Sequence, residues 1–353
     1  MPAPLISIIV PVYNAERTLS KCVQSLISQT FRNIEILLIN NASSDDSWSM
    51  CLELASGDSR VKAIDHSEKG VSSARNRGIL DSVGDYVMFV DADDWIDKNV
   101  CEVFASENRL HNYDLFCFSA QYHKVSRSLK SFLFAENVPL FSVMQKEELQ
   151  IKVFAPNAPY FDYETNTRFL GSVWGKFYKR DVLIKHNLCF ATETTISEDV
   201  LFNTLALDYF YRIGYTRDCY YHYVQQNNSA QNRYRPNSEK YFAFVIAQIQ
   251  QWLVQANKDK RFVDAANCLF IHYLFGILKE NLVHKDCRLS LTERCINLEK
   301  LLSSEKYQVV LREASMDYFS APEKFLILLM KKKLYMLTIV LLQIYFGLYH
   351  PDA

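Results

Sequence analysis

Three carboxylates crowd one short stretch of this chain. Asp91, Asp93 and Asp94 follow the apolar run Tyr86-Val87-Met88-Phe89-Val90, with only Ala92 between them. Like charges so close repel one another unless something positive sits among them, and a divalent cation is the natural partner. Side chains two apart in an extended segment project to the same side, so Asp91 and Asp93 can address one ion together with phosphate oxygens. Hard oxygen donors favour Mg²⁺ or Mn²⁺ over zinc. A plainer use competes with this one. Acids at a strand end often cap the next helix, and Asp94 or Asp97 suits that role for a helix starting near Lys98.

Two further segments offer polar groups after apolar runs: Pro11-Val12-Tyr13-Asn14 after residues 6–10, and Asn40-Asn41-Ala42-Ser43-Ser44-Asp45 after residues 34–39. To meet, these segments need strands lying side by side. Runs at 6–10, 34–39, 61–64, 86–90 and 115–118 read as buried parallel strands, and 16–29, 46–55, 71–83 and 98–110 carry apolar positions on one helical face. The alternation predicts an α/β fold, a mostly parallel sheet flanked by helices, with ligands at the carboxyl ends of the strands. Neither a P-loop nor G-x-G-x-x-G is present, which argues against a Walker ATPase or a dehydrogenase of the usual kind. Residues 120–231 are mixed and aromatic-rich, with a strand at 209–215 and a helix at Arg180–Lys185. Beyond residue 238 the pattern is helical, at 239–255, 262–284, 292–315 and 322–348. We therefore expect one domain over 1–235 and an all-helical region over 236–353.

The 353 residues include 39 Lys or Arg and 40 Asp or Glu, a formal charge of −1 that excludes a generally basic nucleic-acid binder. The balance hides two unlike parts. Residues 1–230 hold 22 basic and 28 acidic side chains, residues 231–353 hold 17 and 12. Nine scattered cysteines form no Cys-x-x-Cys pair and read as reduced core thiols, not a disulfide framework or zinc site. With no positive charge before Leu5, the start of the chain reads as a strand rather than a signal sequence, and a cytoplasmic protein is expected.

Residues 6–14 (ISIIVPVYN), Gln29-Thr30-Phe31, residues 70–78 (GVSSARNRG), residues 84–95 (GDYVMFVDADDW) and Ser197-Glu198-Asp199 together resemble family 2 glycosyltransferases of the GT-A fold. The likeness runs in order over roughly residues 5 to 225. It implies transfer of a sugar from a nucleotide diphosphate donor to an acceptor hydroxyl with inversion, in a donor half of about 1–120 and an acceptor half of 121–235. Asp91-Ala92-Asp93 then corresponds to the family's D-x-D element, with Asp93 a ligand of Mn²⁺ or Mg²⁺ and Asp91 near the ribose or the ion. A cation there would stabilise the charge gained by the leaving diphosphate. Pro11, Val12, Tyr13 and Asn14 would line the nucleoside pocket, and Arg75 would face the diphosphate, where a guanidinium fork suits phosphate. Arg77 faces elsewhere and is structural. The acidic pair implies a general base at Asp199, with Glu198 orienting it or the acceptor. Trp174, on the acceptor side, would stack on a sugar ring and Lys176 would reach the diphosphate, although a tryptophan of this kind is often core. His222, among three tyrosines, either completes the metal site or simply packs.

Many members carry an acidic pair where this chain has Asn40-Asn41. The second acid commonly accepts from uracil, and Asn41 keeps an acceptor oxygen but adds a donor and loses the charge. UDP stays the favoured donor. Asp45 is expected to cap the following helix, and Ala42 in place of glycine implies a loop with no positive φ. Near the end, Lys331-Lys332-Lys333 parts two apolar runs. The second, fifteen residues, spans about 22 Å as a helix, short of the roughly 30 Å hydrocarbon core. Residues 322–348 suit either docking on an anionic membrane, placing the protein on the inner face of the plasma membrane, or packing within the helical domain or a homo-oligomer. The acceptor implied is a surface polysaccharide, lipooligosaccharide or lipid-linked glycan. An inactive GT-A module that binds a nucleotide sugar or serves as a scaffold is the competing reading. A nucleotidyltransferase would want a glycine-rich basic loop that residues 12–17 do not form.

Overall fold

The structure, a computed structural model, describes residues 5–124, 128–155, 171–225 and 234–349. The chain runs β1 (Ile6–Val12), α1 (Leu19–Ile27), β2 (Ile34–Asn41), α2 (Ser47–Gly57), β3 (Val61–His66), α3 (Val71–Asp81), β4 (Tyr86–Phe89), β5 (Trp95–Ile96), α4 (Val100–His111), β6 (Leu115–His123) and β7 (Ser128–Ser131). It continues through α5 (Val143–Phe154), β8 (Lys176–Lys179), α6 (Arg180–Lys185), α7 (Glu198–Ala206) and β9 (Ile213–Val224). Six helices follow: α8 (Ser238–Gln255), α9 (Lys260–Ile277), α10 (Leu291–Ser303), α11 (Glu305–Glu313), α12 (Ala321–Lys331) and α13 (Tyr335–Tyr349).

The nine strands among the described residues join one sheet in the order β3-β2-β1-β4-β8-β6-β9-β5, with β7 paired to β6. β1, β2, β3 and β4 are mutually parallel, as the largely apolar runs of β1, β2 and β4 predict, and every residue of β2 and β4 is buried. β3, at the sheet edge, is the exception, with one buried residue in six. From β1 the chain winds outward to β2 and β3, then returns to place β4 on the other side of β1. That reversal opens a crevice at the carboxyl ends of β1 and β4, where ligands of open α/β sheets bind.

At the opposite, amino ends a buried polar knot holds the strands in register. Glu35 accepts from Ser7 Oγ (2.5 Å), the Val83 N–H (2.7 Å) and Lys62 Nζ (2.7 Å). Those bonds hold its carboxyl below the usual range although burial pushes the other way. Gly84 donates its N–H to Ser7 Oγ at 2.8 Å, and a Cβ at residue 84 would sit 2.7 Å from that oxygen, so only glycine fits.

Several expectations need correction. β8 enters the middle of the sheet antiparallel to β4 and β6. The strand expected at 209–215 starts only at Ile213, after a turn of 3-10 helix at Leu207–Tyr209, and runs on to Val224 as β9. The stretch 292–315 breaks at Ser304, whose extended backbone (ψ 139°) parts α10 from α11. The stretch 322–348 breaks at Lys333 (φ 56°), and 262–284 ends in a π turn at Leu278–Leu282. α4 starts after Asn99, with no side-chain cap from Asp94 or Asp97. Ala42 has φ 53°, so this loop does adopt the left-handed conformation without a glycine. Asp45 meets its expected role, accepting from the Ser47 N–H at the start of α2. Six cysteines are buried, Cys189 is exposed, and all nine are free thiols.

Internal contacts divide the chain into two compact units, one holding the sheet with α1–α7 up to Val153 in α5, the other holding α8–α13. In the second, α9 is the core helix. Phe242 and Tyr273 pack their rings 4.8 Å apart between α8 and α9, and Trp252 meets Phe262 edge-on.

Candidate active site

The loops after β1 and β2 are stitched together by short polar side chains. Asn14, at φ 49°, accepts the Ser44 N–H on its Oδ1 (2.8 Å) and donates its own N–H to Ser43 Oγ. Asn40 donates to Asp65 (2.7 Å) and accepts from the Ser43 N–H. Asn41 forms a reciprocal pair with Gly70, its Nδ2 donating to the Gly70 carbonyl (2.6 Å) and its Oδ1 accepting the Gly70 N–H (3.0 Å). Gly70 has φ 125°, the turn that starts α3. The Asn41 amide thus fastens β2 to α3, leaving one N–H and one oxygen lone pair for anything else. Val12 is buried, Pro11 half-buried, and Tyr13 presents its ring at 57% exposure.

At the end of β4 the three acids have different surroundings. Asp94 is buried, accepting from Tyr221 Oη (2.7 Å) and the Val224 N–H (2.8 Å), while the Asp91 N–H donates to Tyr221 Oη (3.2 Å). Burial, then the charges of Asp91 and Asp93, push its carboxyl upward. Asp94 therefore frames the loop from below. Its place in the D-A-D-D run gave no sign of this, because both donors come from β9. Asp93 has no hydrogen bond to another side chain among the described residues, and burial followed by the Asp91 charge pushes it up to about 6. Ala92 is buried between them. Two hard carboxylate oxygens suit an ion that completes its shell with phosphate and water. Among the described residues no cluster of three His, Cys, Asp or Glu side chains is placed to hold a metal.

Arg75 joins the distant segments. On α3 and 4% exposed, it donates through one terminal nitrogen to Asp91 Oδ1 (3.2 Å) and through the other to Glu198 Oε1 (3.3 Å). Its Nε has no partner among the described residues. Asp91, Glu198 and Asp199 keep the guanidinium charged although burial opposes it. Ser197, at φ 57°, turns the chain into α7, whose first two residues are the acidic pair. Burial first and the Glu198 charge second push Asp199 above the usual carboxylate range, with Arg75 pulling the other way. A carboxylate raised in this manner is a better proton acceptor near neutrality. Arg77 instead pairs with Asp81 on its own helix.

The remaining predicted residues are brought near but lie deeper than expected. Lys176 is buried on β8, donating to the Ser172 carbonyl (2.5 Å), and burial pulls its ammonium down to about 8. Trp174 is 5% exposed with its ring stacked on Tyr221 (4.4 Å, 8°), so that face is not open to a sugar. His222 stacks on Trp95 and engages both ring nitrogens, with Asp97 at 3.0 Å and His123 at 2.9 Å. It packs rather than joining Asp91 and Asp93. His123 and Tyr221 were missed from sequence, since each lies more than 25 residues from the acids and no spacing announces it.

Residues 7–180 match the family described as glycosyl transferase family 2. Glycosyltransferase EpsJ of Bacillus subtilis (strain 168), an uncharacterized protein, is 31% identical over 228 residues, covering 64% of this chain and 62% of that protein. Glycosyltransferase GlyA of Streptococcus pneumoniae serotype 4 is 36% identical over 174 residues, 49% of this chain and 24% of that protein. The chain spans less than two thirds of either relative. Among solved structures, S. aureus TarS 1–349 in complex with UDP-GlcNAc has a TM-score of 0.65 at 18% identity, covering 97% of this chain and 91% of that one, a likeness of fold.

Proposed function

Because residues 7–180 belong to glycosyl transferase family 2, we propose that this chain is a metal-dependent inverting glycosyltransferase, with residues 1–235 its GT-A domain and 236–353 a helical domain. The observation that carries the reading is the Arg75 fork, which joins Asp91 of the acidic loop to Glu198 beside the candidate base. Asp199 takes the acceptor hydroxyl's proton as that oxygen attacks the anomeric carbon, and the bond to the diphosphate breaks on the opposite face. Arg75 meets the negative charge that the diphosphate gains, and Glu198 holds the base and fork in place. A Mn²⁺ or Mg²⁺ ion held by Asp91 and Asp93 would neutralise part of the same charge.

Pro11, Val12, Tyr13 and Asn14 form the nucleoside wall, with the Tyr13 ring available to a base. A uridine diphosphate donor carrying a hexose or N-acetylhexosamine is favoured, in line with the TarS complexes with UDP and UDP-GlcNAc and with the remaining lone pair of Asn41. Trp174 and Lys176 shape the acceptor side from beneath. The acceptor proposed is a hydroxyl of a surface polysaccharide, lipooligosaccharide or lipid-linked glycan, reached by a cytoplasmic protein peripheral on the plasma membrane.

The test is incubation with UDP- and GDP-sugars, Mn²⁺ and glycan or polyprenyl-linked acceptors. Released nucleoside diphosphate and an inverted anomeric configuration by NMR are expected, and a retained configuration overturns the assignment. One observation favours a second reading, an inactive binding module: a neutral Asn41, paired with Gly70, stands where many members carry an acid. Thermal stabilisation by nucleotide sugars with no product from any pairing would select it.

A further inference from the structure

The last two helices of the second unit leave apolar side chains uncovered. On α12, Phe325 and Leu328 are exposed on the face that carries Lys324 and Lys331. On α13, Met336, Val340 and Ile344, four apart along one face, are 62%, 39% and 49% exposed, while Thr338, Ile339 and Leu342 on the other are fully buried. α13 is therefore apolar on both its packed and its open side. The turn between the helices is Lys331-Lys332-Lys333, exposed throughout. Residues 324–349 contain these three lysines and Lys324, and no acid at all.

We infer that this pair of helices docks on an anionic lipid surface, the apolar faces entering the headgroup boundary and the lysines meeting lipid phosphate. The inference deepens, and rests on, the peripheral placement proposed above. Charge decides between occupants. A second copy of the chain would pair through the same patch in a closed dimer, bringing each lysine cluster toward its own image, where residues 324–349 offer no acid. An anionic bilayer satisfies the open apolar face and the uncompensated charge together. α13, fifteen residues long, is too short to cross. The one described helix long and apolar enough to cross is Lys260–Leu282, and 67% of its apolar window is buried inside the protein, as suits a core helix.

The test is sedimentation of the full chain with vesicles of phosphatidylcholine alone, or with about a third phosphatidylglycerol, near 0.1 M salt, where surface charge still acts. Binding to the anionic vesicles and little to the neutral ones is expected. Replacing Lys331, Lys332 and Lys333 by alanine should lower the partition on the order of 100-fold, from the contribution of each lysine near an anionic surface. Val340→Asp should weaken binding while circular dichroism stays unchanged. Equal partition to both vesicles, no binding to either, or an unaffected triple variant overturns the inference. So does a concentration-dependent dimer that Val340→Asp dissolves in a chain indifferent to vesicles. Transfer to a soluble acceptor is assayed on the same preparations. Docking lost with transfer kept sinks the surface alone, and transfer absent with docking kept sinks only the catalytic reading.

Discussion

The two sides of the crevice are built on opposite principles. Asn14, Asn40 and Asn41 are themselves neutral, and each is hydrogen-bonded to the neighbouring loop, β3 or the start of α3. Around Asp91, Asp93 and Asp199 the chain gathers like charge in partly buried surroundings, with one guanidinium among them. The first side is complete before a ligand arrives. The second holds like charge that a cation or a reacting proton would relieve, and carboxylates perturbed in this way mark a candidate functional surface.

The sharpest way to break this contrast is to neutralise the charged side. Asp199→Asn should lower turnover by roughly 10²–10⁴-fold with donor affinity nearly intact by calorimetry. Most of the activity surviving would remove Asp199 from the base role. Asp93→Ala should cost about 10²–10³-fold and abolish the response to Mn²⁺, since a point of charge stabilisation is lost. In the pH profile, kcat/KM should rise with pH through a value above the ordinary carboxylate range, because Asp199 must be charged to accept a proton. A flat profile from pH 5 to about 8 contradicts its environment.

Smaller effects test the same contrast through stability. Asp93 titrates at about 6 in the fold against an ordinary 3.8, so between those values the folded chain holds a proton that the unfolded chain has released. Stability then falls as pH rises through that window. With EDTA present, Asp93→Asn should unfold at a higher temperature than the parent at pH 8, and the gap should fade toward about pH 4. On the neutral side the sign reverses. Asn41→Asp restores the commoner acid but sets a carboxylate against the Gly70 carbonyl, at a cost of about 1–3 kcal/mol in urea unfolding. A stabilised Asn41→Asp would mean that side is not complete.

Much of the first sheet was legible because parallel strands covered on both faces are written as mostly apolar runs, broken in β1 and β2 only by Ser7, Glu35 and the closing Asn40 and Asn41. The breaks in the helical part were not legible. Ser304 and Lys333 carry no glycine or proline, and Lys333 takes a left-handed conformation that its side chain gives no hint of. Ala42 misled for the same reason. In the site, D-A-D and the acidic pair were found by resemblance, but the contact joining them was not. Arg75 and Glu198 lie 123 residues apart, and no local pattern encodes such a meeting. Burial of Trp174 and Lys176 was equally invisible, since an aromatic or a lysine reads alike whether it faces a ligand or a ring of Tyr221.

The frame beneath the acidic loop also sets an order of assembly. Asp94 takes its two hydrogen bonds from residues 127 and 130 positions further along the chain. A growing polypeptide that has reached only α7 already carries every acid of the site, yet has nothing to seat Asp94. Pairing over such separations is slow to form. A motif synthesised in the first third of the chain is thus closed only by its later part, and a chain cut before β9 would keep the acids in sequence and lose the seat that arranges them.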